Sequence, residues 1–398
     1  MLNIEDNKPT PSFALFELGF RPFFSAAGIF AVISMLLWMA IYVAGIPLVT
    51  AQLSPILWHA HEMVFGYAMA VIAGFLLTAV GNWTGQSSFK GGTLGIMLTL
   101  WLIARVSYFL PIASALTLAA IADLLFMLGL IIGVSLPVVR AKQWKQIGII
   151  AKLWLMLVAN GVFYMGTMGH LESGIFWGLY SGFYLVLGLI FMMARRVIPF
   201  FIEKGVDEHF TPRNRRWIDI SSLFVFLLWA ILEIFTQQAE LVALLSIGLF
   251  SIHLIRLYDW HGTGIWKKPL LWSLYLGYAF LNLGFLLKAL SFWLGVSPYL
   301  AIHAFALGGI GIITIGMMSR VSLGHTGRNV FNPPKILAPI FLLMLAGAVI
   351  RVILPMIDHS HYMLWIMTSQ VLWILGFSIF SATYVPMLLK PRIDGRPG

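Results

Sequence analysis

The sequence predicts an all-α fold: a polytopic membrane helix bundle of about twelve transmembrane helices, forming a single integral-membrane domain over residues 1–398. Three observations carry that prediction. The chain is 60% hydrophobic and only 10% charged, with a mean hydropathy of +0.92, whereas soluble domains carry about 25% charged residues. Apolar runs of spanning length, about 20 residues, recur along the whole chain between short polar, Gly or Pro breaks. The basic residues fall in alternate breaks, as orientation signals do.

In order, the runs lie near residues 23–45, 58–80, 91–110, 112–138, 147–168 and 173–196, then 217–236, 240–259, 268–294, 299–319, 335–357 and 362–389. The third and fourth are parted only by Pro111 and its neighbours. The longest non-membrane piece is the basic break at about 197–216, so no soluble domain is expected. With both termini cytoplasmic, as tails 1–22 and 390–398, all but Arg105, Lys288 and Arg351 of the 25 lysines and arginines fall on the inner side. Glu5 and Asp6 precede Lys8 and no small-residue cleavage site follows, so the N-terminus does not read as a signal peptide.

Composition also excludes. The net charge of +10 sits in short inter-span breaks, which argues against a nucleic-acid partner and for the lipid bilayer. The absence of cysteine removes disulfides, thiolate-held iron–sulfur clusters, a CxxCH haem attachment and thiolate copper sites. Any metal or haem must use His, Met, Tyr or carboxylate ligands and be held non-covalently.

The chemistry concentrates in Trp58-His59-Ala60-His61-Glu62-Met63, at the mouth of the second span. Ionisable groups inside a bilayer are costly and are functional candidates by default. A shift of 242 positions brings His303, Gly308, Gly316, Thr326 and Gly327 onto His61, Gly66, Gly74, Thr84 and Gly85, a partial internal repeat. The glycines, with Ala70, have the spacing of close helix packing.

Six histidines fall on the outer side (His59, His61, His170, His303, His359, His361) and four on the inner side (His209, His253, His261, His325). His303 and His325 are 22 residues apart, roughly 33 Å at ~1.5 Å per residue, and cannot share one centre. His59 and His61 point to opposite sides of a helix, with Glu62 on the face of His59 as a carboxylate that could orient it. His61 and His303, aligned at equal depth on two spans, are the expected ligands of an axially held haem or a copper ion. His253, His261 and His325 are candidates for a second, inner metal site, against the plainer reading of interfacial polar residues. His359 and His361 read as solvated. Arg105, Lys288 and Arg351 either snorkel to the outer interface or meet an anion in the outer half, such as a haem propionate. Asp123 and Glu233 are intramembrane acids with no partner evident.

Phe20-Arg21-Pro22-Phe23-Phe24, His59-Ala60-His61-Glu62-Met63, Asn82-Trp83-Thr84-Gly85 and Gly324-His325-Thr326-Gly327-Arg328, in that order, resemble the NnrS family over nearly the whole chain. The resemblance implies a bacterial inner-membrane protein associated with haem and copper that takes part in the response to nitric oxide. A looser likeness is to haem–copper oxidases, where the second and tenth of twelve helices hold the low-spin haem and three four-helix arcs repeat. Here the sixth span offers only Gly188 near the position of Gly66 and Gly308, and no histidine.

The expected function is therefore haem or copper binding tied to nitric oxide, as ligand or substrate, with electron transfer from an unidentified donor. One alternative is a secondary transporter of a metal or small solute with histidine-lined sites. Another is a haem- or copper-handling protein that serves the assembly of another enzyme.

Overall fold

In the computed structural model, residues 13–47, 53–206 and 209–396 are described, and every regular element among them is helical. Glu5, Asp6 and Lys8 lie outside that description. The spans are α1 (Phe20–Tyr42), α2 (Pro55–Thr84), α3 (Gly92–Ser107), α4 (Ala115–Arg140), α5 (Trp144–Thr167) and α6 (Gly174–Gly205). They continue as α7 (Arg216–Phe235), α8 (Ala239–Trp260), α9 (Pro269–Trp293), α10 (Pro298–His325), α11 (Leu337–Ile357) and α12 (Tyr362–Leu389). Eleven are long and apolar enough to cross a membrane, and α3 is an apolar helix of 16 residues. The weak boundary at Pro111 is a real break between α3 and α4.

Neighbours in sequence pack as antiparallel neighbours in space, and α12 returns to pack against α1. Trp373 Nε1 on α12 donates to the Ala31 carbonyl of α1 (3.0 Å), and the Ala14 amide donates to the Leu389 carbonyl (2.9 Å). The two ends of the chain thus share one face of the bundle, the termini face; the opposite end is the far face. Burial sorts centre from periphery. The apolar stretch of α2 is 78% buried and that of α10 is 72%, against 28% for α7, whose Phe224 and Leu227 face outward. Such an exposed apolar belt is the surface a bilayer covers. At the centre α2, α6 and α10 touch one another, and the Tyr67 hydroxyl of α2 meets Thr314 Oγ1 of α10 at 2.7 Å.

The two aligned helices resemble each other in detail. Each starts on Ser-Pro (Ser54-Pro55 and Ser297-Pro298), with proline where its missing N–H costs nothing. Each passes into a π-helical stretch directly after the aligned histidine, Glu62–Ala68 after His61 and Ala304–Gly311 after His303. π-helical insertions mark functional positions often enough to be noted. In α2 the altered ladder turns carbonyls toward α3, and Trp101 Nε1 donates to that of Gly66 (3.0 Å) while Arg105 Nη1 donates to that of Phe65 (3.4 Å). The helices end alike too. Thr84 and Thr326 each donate to the carbonyl four residues back (2.7 and 2.6 Å), followed by left-handed Gly85 and Gly327.

Small residues set the closest approach, between α5 and α6. A Cβ on Gly178 would lie 2.4 Å from the Phe163 backbone nitrogen and 2.6 Å from the Ala159 carbonyl oxygen. No rotamer change relieves a clash with backbone. Gly178→Leu is expected to destabilise the protein by ~3 kcal/mol or more, at the severe end of overpacking. Gly161→Leu on α5, where nothing lies within 4 Å, should be neutral; thermal unfolding in detergent compares the two.

Candidate functional site

His61 is fully buried at the centre of a polar cluster that joins α2 to α3, α4 and α5. Its Nδ1 faces Glu62 Oε1 at 3.0 Å and its Nε2 faces Asn160 Oδ1 at 2.9 Å. Asn160 is oriented because its Nδ2 donates to Asp123 Oδ2 (2.9 Å), which leaves only its oxygen for His61. Both ring nitrogens therefore have polar partners, Glu62 at Nδ1 and Asn160 at Nε2, and neither is left over. Arg105 completes the set, with Nε 2.6 Å from Glu62 Oε2 and Nη2 3.0 Å from Asp123 Oδ1. Arg105 thus bridges the two buried carboxylates, and a paired counter-charge is the condition on which charges survive burial. A tyrosine chain closes a loop: His61 Nδ1 lies 3.2 Å from Tyr108 Oη, Tyr108 Oη lies 2.7 Å from Tyr164 Oη, and Tyr164 donates to Asp123 Oδ2 (3.2 Å).

Glu62 thus turns to His61 rather than to His59, because the π-helical stretch that begins at Glu62 changes the rotation between successive side chains. His59 instead stacks on Trp38, with ring centroids 4.5 Å apart and planes at 4°, and its buried Nδ1 has no hydrogen-bond partner. His303 donates from Nδ1 to the Tyr299 carbonyl (2.7 Å) and accepts at Nε2 from Arg351 Nη2 (3.2 Å). Arg351 and His303 both lie within electrostatic range of His59. The imidazole that accompanies His303 is therefore His59, while His61 has its own partners. Of the three outer cations, Arg105 is bound as described, and Lys288 pairs with Glu233 across α9 and α7. The two intramembrane acids thereby gain their partners. Arg351 has no carboxylate partner among the described residues.

His253, His261 and His325 have separate surroundings. His253 is sandwiched between Phe191 and Phe285 (planes at 14° and 7°) and accepts at Nδ1 from the Tyr278 hydroxyl (2.7 Å), which itself accepts from Arg256. His261 is exposed and accepts at Nε2 from Trp266 Nε1 (3.2 Å). His361 pairs with Asp358 in a far-face loop, beside exposed His359.

His325 lines a cleft of about 440 Å³ where α2, α6 and α10 end on the termini face. Phe75, Phe201, Met317 and Val330 give it apolar walls, and Asn82, Arg320, His325 and Arg392 give it polar ones; no acid lines it. Sites for small organic ligands run to about 300–1,000 Å³ with these proportions. The His325 ring packs against Phe20 at 5.4 Å between centroids, and neither ring nitrogen has a protein partner among the described residues. The Arg320 guanidinium lies 3.8 Å over the Phe201 ring and likewise has no carboxylate partner there. Three of the four sequence motifs meet here: Phe20 bonds its amide to Thr78 Oγ1 (2.9 Å) beside His325, Asn82 faces across the cleft, and the Gly324-to-Arg328 turn frames it.

The C-terminal segment straps the turn down. The Ile393 amide donates to the Thr326 carbonyl (3.2 Å), Arg392 Nη1 donates to that of His325 (3.1 Å), and Asp394 packs on Gly327. The hydrogen bond from Arg392 holds the Asp394 carboxyl at about 2. A depressed carboxyl stabilises above its unfolded value and loses that contribution as pH falls through the folded one. The strap should therefore stay docked from about pH 8 to about pH 5, and corrected hydrogen exchange at Ile393 should not change between them.

Sequence reasoning missed Asn160, Tyr108 and Tyr164 around His61, and counted Arg320 and Arg392 only as orientation signals. Asn160, a lone amide inside an apolar run, was the one available signal.

A family model described as NnrS protein matches residues 14–392, and the chain belongs to that family. The family is one of haem- and copper-containing membrane proteins linked to the nitric oxide response. No curated protein matches the chain.

Proposed function

We propose that this NnrS-family chain holds haem in the termini-face cleft and responds there to nitric oxide. The observation that carries the reading is His325, an imidazole with both ring nitrogens uncommitted in an apolar-walled cleft of about 440 Å³. The residues present fit the group. His325 would be its protein ligand, Arg320 would hold a carboxylate, and Phe75 and Phe201 would cover its apolar face. Bound there, haem supplies an iron centre able to take nitric oxide as a ligand. His325 is the one imidazole among the residues that line the cleft.

The earlier pair, His61 and His303, is supported less well as a haem site. His61 uses both ring nitrogens on Glu62 and Asn160, and Arg105 and Lys288 are committed to carboxylates. For copper, the described residues contain no group of three or more His, Cys, Asp or Glu placed to hold a metal ion. The basic breaks on the termini face support a cytoplasmic placement of the cleft. The meeting of α2, α6 and α10, each four helices apart, supports three four-helix arcs.

Ala79 lines the cleft and is none of the residues proposed to hold the group. Ala79→Phe is expected to fill it and lower the haem content of the purified, folded protein severalfold. Unchanged haem content in that variant would place the group elsewhere.

A further inference from the structure

Outside the cleft, the cluster of Arg351, His303 and His59 at the far-face end of α2, α10 and α11 is not used by the proposed function. Three other cations inside the spans have carboxylates: Arg105 has Glu62 and Asp123, Lys288 has Glu233, and Arg256 has Asp219. Arg351 is 7% exposed, has no such partner among the described residues, and its Nη1 is buried without a hydrogen bond. Residues 48–52, the one part of the adjoining α1–α2 connection outside the description, contain no acid. A guanidinium in low dielectric without a counter-charge is costly. The neighbours do not supply one. His303 presents Nε2 to Arg351, with its own proton fixed on Nδ1 by the Tyr299 carbonyl, and Tyr362 lies beside the guanidinium at 5.9 Å. The buried Nδ1 of His59 is also unpartnered, with Arg351 in electrostatic range.

We propose that this cluster is a binding site for a small inorganic monoanion of the size of chloride or nitrite. One uncompensated positive charge calls for one negative charge. Arg351 Nη1 and His59 Nδ1 are both buried and lack hydrogen-bond partners, an acceptor at this cluster would supply what they lack, and the His59 ring is held in place by its stack on Trp38. The burial of both nitrogens favours a compact ion over a phosphate or an organic acid.

The test is isothermal titration of the purified full chain in uncharged detergent, with gluconate as the background anion and sodium nitrite, sodium chloride or sodium sulfate as titrant. Saturable one-site binding of nitrite or chloride is expected, with sulfate at least tenfold weaker. Arg351→Met should weaken it at least tenfold, and Arg351→Lys less. His59→Phe keeps a ring on Trp38 while removing the nitrogen, and should weaken binding severalfold even where Arg351→Met proves unstable. The titration is run on haem-free and haem-loaded protein, because the site does not depend on the cleft. The proposal is overturned if the wild type shows no saturable binding, if sulfate binds as well, or if His59→Phe and a folded Arg351→Met bind as the wild type does.

Discussion

His325→Ala is expected to lower haem affinity by more than about a hundredfold, beyond the ~10–100-fold that changes around a ligand cost, while the protein still inserts and folds. The ring has no structural hydrogen bond to lose among the described residues. The turn that carries it stands on backbone: Thr326 bonds back to Ser322, Arg392 bonds the His325 carbonyl, and Gly327 takes its left-handed conformation. Removing the imidazole should therefore leave the cleft intact and empty of its donor. His59→Ala and His303→Ala should retain haem. Pyridine haemochrome quantification of the four proteins, after gel filtration, compares them directly.

Arg105→Leu is expected to destabilise the protein by about 3–5 kcal/mol, the cost of removing one partner from a buried ion pair. It leaves Glu62 and Asp123 without the cation they share, two carboxylates buried beside His61 inside the bilayer. The leucine also cannot donate to the Phe65 carbonyl that the π-helical stretch directs at α3. Lys288→Leu should cost less, because Lys288 and Glu233 are only partly buried, at 20% and 14% exposure. A clear drop in unfolding temperature for the first and a small one for the second is the expected pattern.

The spans were legible because a bilayer demands length and polarity that a single sequence displays. Even the poorest boundary, at Pro111, lies between Ser107 and Ala115 as expected. The echo between α2 and α10 was legible in five residues, and the structure extends it to the Ser-Pro starts, the π-helical stretches and the Thr-Gly ends. Depth along a helix was legible, but rotation about its axis was not. His61 and His303 match in depth, yet His61 turns toward Asp123 and Asn160 on α4 and α5, while His59 stacks on Trp38 within electrostatic range of His303. Nothing local in the chain announces a π-helical stretch, and that stretch decides where Glu62 points. Arg320 was hidden for a different reason: by position it is an ordinary cationic anchor, and only the packing of α2, α6 and α10 makes it a wall of the cleft.

The central claim is that the cleft beside His325 would hold haem where nitric oxide can reach it. The most direct measurement is the optical spectrum of the reduced, purified protein before and after addition of nitric oxide. The account predicts haem bands that shift and saturate with nitric oxide in the wild type, and no haem bands in His325→Ala. Bands that nitric oxide leaves unchanged, or the same haem spectrum in folded His325→Ala, would contradict it.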